Sequence, residues 1–156
     1  MTAQYGLARA EDLQSLGGLE LLRRMINGSI PGPTIARTLG FRLAEVDDGL
    51  AVFEMEVGPH LLNPLGSVHG GVALTLIDSA AGCALHTRLP AGVGYTSVET
   101  KVNFTRAIRP DTGVLRAEGR VVTQGRQIAT AEARVLSADG KIVAHGTSTL
   151  MILRAR

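Results

Sequence analysis

Tryptophan is absent from this chain of 156 residues, and only three Phe and two Tyr supply aromatic rings. So small a set leaves the core to aliphatic side chains. It also argues against the stacked rings on which single-stranded nucleic acid is bound. A single cysteine, Cys83, excludes an internal disulfide framework. A dominant charge is missing too: 16 Lys and Arg stand against 14 Asp and Glu, spread along the chain, for a net charge of +2. That balance helps attract a small anion but is no footprint for nucleic acid. The opening "MTAQYGLARAEDLQSLGG" has no basic stretch followed by an apolar one, so no secretory signal is expected. The longest apolar run, residues 71 to 85, falls short of the ~20 residues a bilayer span needs, and it carries Asp78. A soluble, cytoplasmic protein without nucleic-acid or membrane partners is expected.

The length suits one domain with a sizeable core. Residues 11 to 26 set Leu13, Leu16, Leu19, Leu22 and Ile26 at helical spacing, which predicts a helix weakened by Gly17 and Gly18. "TIARTLG" predicts a short helix closed by Gly40. Residues 1–40 are therefore expected to form an N-terminal helical extension of a domain over 41–156. "FRLAEV" and "LAVFEMEV" alternate in polarity: Val52, Glu54 and Glu56 oppose Phe53, Met55 and Val57. Asp48-Gly49 between them is a hairpin signal. "YTSVETKVNFTRA", "GVLRAEGRVVTQG", "RQIATAEARVLSA" and "KIVAHGTSTLMIL" predict four further antiparallel strands. Between the two groups, Val72 to Leu85 is apolar or small with no polar stripe, which predicts a helix buried on all sides. One helix among grouped antiparallel strands defines an α+β fold.

The stretch "NPLGSVHGGVALTLIDSAAG" carries the chemistry. His69, Gly70 and Gly71 fall where the helix begins, and a helix start offers unpaired N–H groups and partial positive charge. The side-chain-free Gly70 lets a ligand oxygen approach its amide, as an oxyanion donor requires; close chain packing would select glycine equally well. Asp78 is either a buried carboxylate satisfied by backbone or a hydroxyl such as Thr75, or a nucleophile or general base facing a narrow pocket. Gly70 and Asp78 are eight residues apart, on the order of 12 Å along a helix. A reacting carbonyl must lie about 3 Å from both. If both are catalytic, two antiparallel copies of the helix in a two-fold dimer bring them together, one from each chain.

"NPLGSVHGG" followed by "LTLIDSAAG", and the runs "GYTSVETKVNFTRAIRPDTG" and "AEGRVVTQGRQIATAEARV", resemble the hotdog-fold acyl-CoA thioesterases of the phenylacetate-degradation type. The resemblance covers roughly residues 34 to 153. It implies a long helix wrapped by an antiparallel sheet, in homodimers with shared active sites that pair into homotetramers. The activity implied is hydrolysis of an acyl-CoA, aromatic in some relatives, to free acid and CoA. It makes Asp78 the catalytic carboxylate and Gly70 the residue whose amide polarises the thioester carbonyl. His69 becomes the motif histidine, Asn63 the polar residue placing thioester or water, and Ser97 the hydroxyl beside the carboxylate. Direct attack by water and an acyl-enzyme anhydride both stay open. No cofactor is implied, since CoA enters as part of the substrate.

Arg106, Gly125 and Arg126 are candidates for the CoA phosphates, with Gly71 beside the thioester. The alternatives are weaker. "DTG" at Asp111 to Gly113 sits in a polar turn, unlike an aspartic-protease loop. Cys83 and His86 share a helix face but suit a core thiol beside a helix-end imidazole. His60, His69, His86 and His145 lack the spacing of a zinc site. A non-catalytic acyl-CoA-binding module is the remaining functional alternative.

Overall fold

The computed structural model describes residues 4–154, so the first three residues of the expected extension and the last two of the expected domain lie outside it. The N-terminal pattern forms two helices, α1 (Ala10–Ser15) and α2 (Gly18–Ile26), instead of one. The break has a packing cause. A Cβ at Gly18 would lie 1.7 Å from the His86 carbonyl oxygen, so the chain turns here to seat α2 against the end of the central helix. Leu21 and Leu22 are buried, whereas Leu13 and Ile26 of the expected stripe are exposed. A third helix, α3 (Thr34–Leu39), ends at Gly40, whose left-handed φ of 80° closes it as expected.

Strands β1 (Phe41–Asp47) and β2 (Leu50–Glu56) form the predicted hairpin. The central helix α4 (Gly70–His86) follows, and then β3 (Gly94–Phe104), β4 (Val114–Gln124), β5 (Ile128–Leu136) and β6 (Ile142–Leu153). All pair antiparallel in one sheet of order β1-β2-β4-β5-β6-β3. The sheet curls around α4, which is the hotdog arrangement. Leu76, Ile77 and Leu85 are wholly enclosed, each worth about 1.5–3 kcal/mol relative to exposure. Small residues permit the close wrap: a Cβ at Gly119 of β4 would stand 2.2 Å from the Ala80 carbonyl oxygen.

Two expectations are corrected. Val52, placed by alternation with Glu54 and Glu56, is buried, paired between Glu45 and Glu118. Those two carboxylates belong to a ladder of ion pairs in which Arg116 bonds Glu45 and Glu118, and Arg134 bonds Glu118. Helix α4, moreover, is not buried on all sides. Leu74, Thr75, Asp78, Ser79, Cys83 and His86 form a half-exposed stripe at helical spacing. The sheet encloses the opposite faces, while this stripe lies along β3, the last strand of the sheet, and towards the N-terminal helices. Among the described residues no helix is long and apolar enough to cross a membrane.

Candidate active site

Three backbone and side-chain bonds fix the entry to α4. Val68 N–H donates to the Ile108 carbonyl and His69 N–H to the Leu61 carbonyl, both at 2.8 Å. His69 then caps the helix, its Nδ1 accepting the Gly71 N–H at 3.0 Å. The Gly71 amide is thereby committed. The Gly70 N–H occupies the first helical position, where the helix itself supplies no acceptor. A Cβ there would meet the tip of the Phe104 ring at 3.0 Å, so close packing and amide access both favour glycine.

Asn63 organises the preceding loop. Its Nδ2 donates to Ser67 Oγ at 2.9 Å, and its Oδ1 accepts from the Leu65 N–H at 2.9 Å and the Ser67 N–H at 3.3 Å. The carbonyl end is spent within residues 63 to 67, while Nδ2 keeps a second N–H for substrate or water.

Asp78, two turns further along α4, meets the inner face of β3. Its Oδ1 accepts from Ser97 Oγ at 2.6 Å and from Thr100 Oγ1 at 3.0 Å. Thr100 has given its only proton, so Ser148 Oγ, 2.9 Å away and fully buried, donates to Thr100; the Glu99 carbonyl at 3.2 Å is its alternative acceptor. Thr75, the hydroxyl considered from sequence, donates instead to the Gly71 carbonyl. Both protein donors land on the same carboxylate oxygen. Among the described residues no buried side-chain oxygen lacks a partner, so the other oxygen, Oδ2, reaches solvent. One oxygen is held and the other is available.

Thr100 and Ser148 were not among the sequence candidates. A strand of period two puts residues 97 and 100 on opposite faces, but a register shift between Ser97 and Glu99 returns Thr100 to the face of Ser97. Ser148 enters only through its pairing with Thr100 across β3 and β6.

The remaining candidates stand apart. Arg106, exposed, follows the end of β3 whose Phe104 lies against Gly70. Gly125 and Arg126 form the β4–β5 turn, closed by the Gly125 N–H to the Ile128 carbonyl at 2.8 Å. Through Ile128, Met151 and Thr96 that turn aligns with the other end of β3, beside Ser97. Arg106 and Arg126 are thus separated by roughly 30 Å along the strands. Cys83 makes no hydrogen bond to His86 among the described residues, and burial pushes its thiol up to about 12, which leaves no nucleophilic thiolate.

A long helix wrapped by an antiparallel sheet, with a held carboxylate at mid-helix and a free amide at its start, defines a hotdog-fold thioester hydrolase. A family model described as the Thioesterase superfamily matches residues 65–144, and the chain belongs to that family. The acyl-coenzyme A thioesterase PaaI of Escherichia coli K12 is 30% identical over 110 residues, 70% of this chain and 75% of that protein. Acyl-coenzyme A thioesterase 13 of Homo sapiens is 26% identical over 130 residues, 82% of this chain and 91% of that one. The solved structure of Escherichia coli PaaI, from the phenylacetic acid degradation operon, superposes with a TM-score of 0.70 over 77% of this chain and 84% of its own, at 26% identity. The crystal structure of S. sahachiroi AziG gives 0.74 over 80% and 98%, at 27% identity.

Proposed function

We propose that the protein hydrolyses acyl-CoA thioesters in a site shared between two copies of the chain. The observation that carries this reading is the Asp78 carboxylate, anchored through Oδ1 by two hydroxyls and open at Oδ2. A carboxylate so oriented accepts a proton from water as the water oxygen adds to the thioester carbon. The tetrahedral oxyanion is met by the Gly70 N–H of the second copy, whose helix N-terminus adds favourable charge. Collapse expels the CoA thiolate, a good leaving group that takes up the proton, and the acid departs. Direct attack by Oδ2 to form an anhydride uses the same oxygen. A single turnover in heavy-oxygen water tests for the anhydride, since label found in Asp78 can arise only by that route.

The pairing of two copies follows from the lengths involved. Within one chain Gly70 and Asp78 sit on the order of 12 Å apart. Phe104, against Gly70, and Ser97, against Asp78, mark opposite ends of β3. That strand is an open edge of the sheet with Val98 and Phe104 exposed, so it offers backbone groups and apolar area to a second β3. An antiparallel pairing sets the Gly70 and Arg106 end of one copy beside the Asp78 and Arg126 end of the other. Two arginines then flank one site, ready for the CoA phosphates. His69 holds the helix start that presents Gly70, and Asn63 holds the loop before it while its second Nδ2 proton stays available to thioester or water.

The test is release of CoA thiol from acetyl-, phenylacetyl- and dodecanoyl-CoA. Hydrolysis of at least one is expected; stable binding of all three without release would mark a non-catalytic acyl-CoA module. Mixing Asp78→Asn chains with chains carrying Gly70→Pro, which lacks the amide proton, is expected to restore activity in exchanged dimers. No recovery after demonstrated exchange defeats the shared site.

A further inference from the structure

A cavity of about 650 Å³ lies between the N-terminal helices and the barrel of the fold. Leu22, Ile30 and Ala36 line it from α2, the following loop and α3, and Phe41 and Phe53 line it from the first hairpin. All five are buried. Cys83 and His86 of α4 and Tyr95 of β3 close its inner end. The volume falls within the range of cavities that enclose a small organic ligand.

Its inner end approaches the proposed reaction centre along α4, where Cys83 stands five residues, ~7.5 Å of rise, beyond Asp78. Tyr95 stands two residues before Ser97 on the same strand, and alternation gives the two side chains one face. Its hydroxyl lies 2.6 Å from where a Cβ of Gly82 would be, and Gly82 is one helical turn, ~5.4 Å of rise, beyond Asp78. An acyl group whose carbonyl sits at Asp78 and whose sulfur points towards the Gly70 end has its tail directed at Tyr95.

The polar groups of the inner end are neutral, and the His86 and Tyr95 rings pack edge to face with centroids 5.6 Å apart. Burial raises the thiol of Cys83 and the hydroxyl of Tyr95 and lowers the His86 pKa, so all three stay uncharged at pH 7. Arg42, the one arginine among the described lining residues, is paired with Glu54. No free charge awaits a charged tail.

We infer that this cavity is the acyl pocket of the proposed thioesterase, that it takes an extended apolar acyl group, and that the N-terminal helices set its size. The inference rests on the acyl-CoA reading above. A tail ending in a carboxylate has no partner in the pocket and is rejected.

The experiment compares kcat/KM for acetyl-, dodecanoyl-, naphthoyl- and succinyl-CoA in the unaltered protein and in two pocket-filling variants. Ile26→Trp alters a lining residue that is 40% exposed, so the fold tolerates it; Ala36→Phe fills the pocket from α3. Dodecanoyl- or naphthoyl-CoA is expected to exceed acetyl- and succinyl-CoA by at least about tenfold, and the two arms tell chain from ring. Each variant is expected to lower the long-to-acetyl ratio about tenfold. An unchanged ratio in both folded variants overturns the pocket assignment. If no thioester is hydrolysed, the acyl-CoA hydrolase reading fails separately, and the pocket is judged by binding: dodecanoyl-CoA affinity weakened about tenfold by Ile26→Trp supports it, and unchanged affinity overturns it.

Discussion

Replacing Asp78 by Asn is the sharpest perturbation of the proposed chemistry, because it removes a charge while keeping the shape. The Asn carbonyl oxygen still accepts the hydrogen bonds that Ser97 Oγ and Thr100 Oγ1 now make at 2.6 and 3.0 Å. Each bond to the ionised carboxylate is worth about 1.5–3 kcal/mol, and a neutral acceptor keeps roughly half of that. The site is half-exposed, so water offsets part of the difference and the loss of stability stays small. Catalysis is another matter. A positioned general base contributes roughly 10²–10⁴ in rate, equivalent to about 3–5 kcal/mol of barrier. The expected result is a kcat lower by that factor, with KM little changed because the lost interaction belongs to the transition state. Asp78→Ala should lose as much activity and more stability, since Ser97 Oγ loses its acceptor and Thr100 must turn its proton to Ser148. Free CoA is read with a chromogenic thiol reagent. Cys83 does not interfere, because burial pushes its thiol up to about 12 and leaves almost no thiolate at neutral pH. Turnover by a folded Asp78→Asn protein comparable with the unaltered one refutes the assignment.

The ion-pair ladder predicts sensitivity to acid. The Arg116 hydrogen bond holds the Glu45 carboxyl below its ordinary 4.5; burial alone would raise Glu118, but hydrogen bonds from Arg134 and Arg116 outweigh it. Carboxyls depressed in the folded state contribute stability above their unfolded pKa, and that contribution is lost as pH falls through the folded value. Arg116→Met should therefore lower the thermal midpoint near neutrality, with the gap closing below the ordinary carboxylate range; a gap independent of pH refutes this. Gly119→Ala sets a methyl 2.2 Å from the Ala80 carbonyl oxygen, so β4 or α4 must shift. A loss of about 1–3 kcal/mol is expected, read as a denaturant midpoint lowered at constant m, and an unchanged midpoint would show that the sheet yields freely.

What the sequence made legible were features that depend on local pattern. The six strands, the hairpin at Asp48-Gly49 and the helix over Asp78 follow from periodicity and turn residues, which act over a few positions. The break between α1 and α2 was not legible, because Gly18 answers to a carbonyl 68 positions away, that of His86. Seen locally it only weakens a helix. The same limit governs the site. Ser97 belongs to a recognisable motif, but Thr100 reaches Asp78 only because the strand slips its register at Ser97 to Glu99. A bulge leaves no mark in hydrophobic alternation when its neighbours are Val98 and Glu99, both exposed.

The exposure of one stripe of α4 has a consequence for assembly. Sequence predicted a helix apolar all round, and enclosure on every side would follow if one chain made the whole fold. A single chain encloses it only partly, leaving Leu74, Thr75, Asp78 and Ser79 half-exposed. Apolar Leu74 beside a reactive carboxylate is poorly suited to bulk water, and the open edge of β3 lies along the same side. The proposed second copy would cover both and bring its own Gly70 amide to Asp78 in one step. In the proposed dimer, the half-exposed stripe of α4 is the face that the second copy covers.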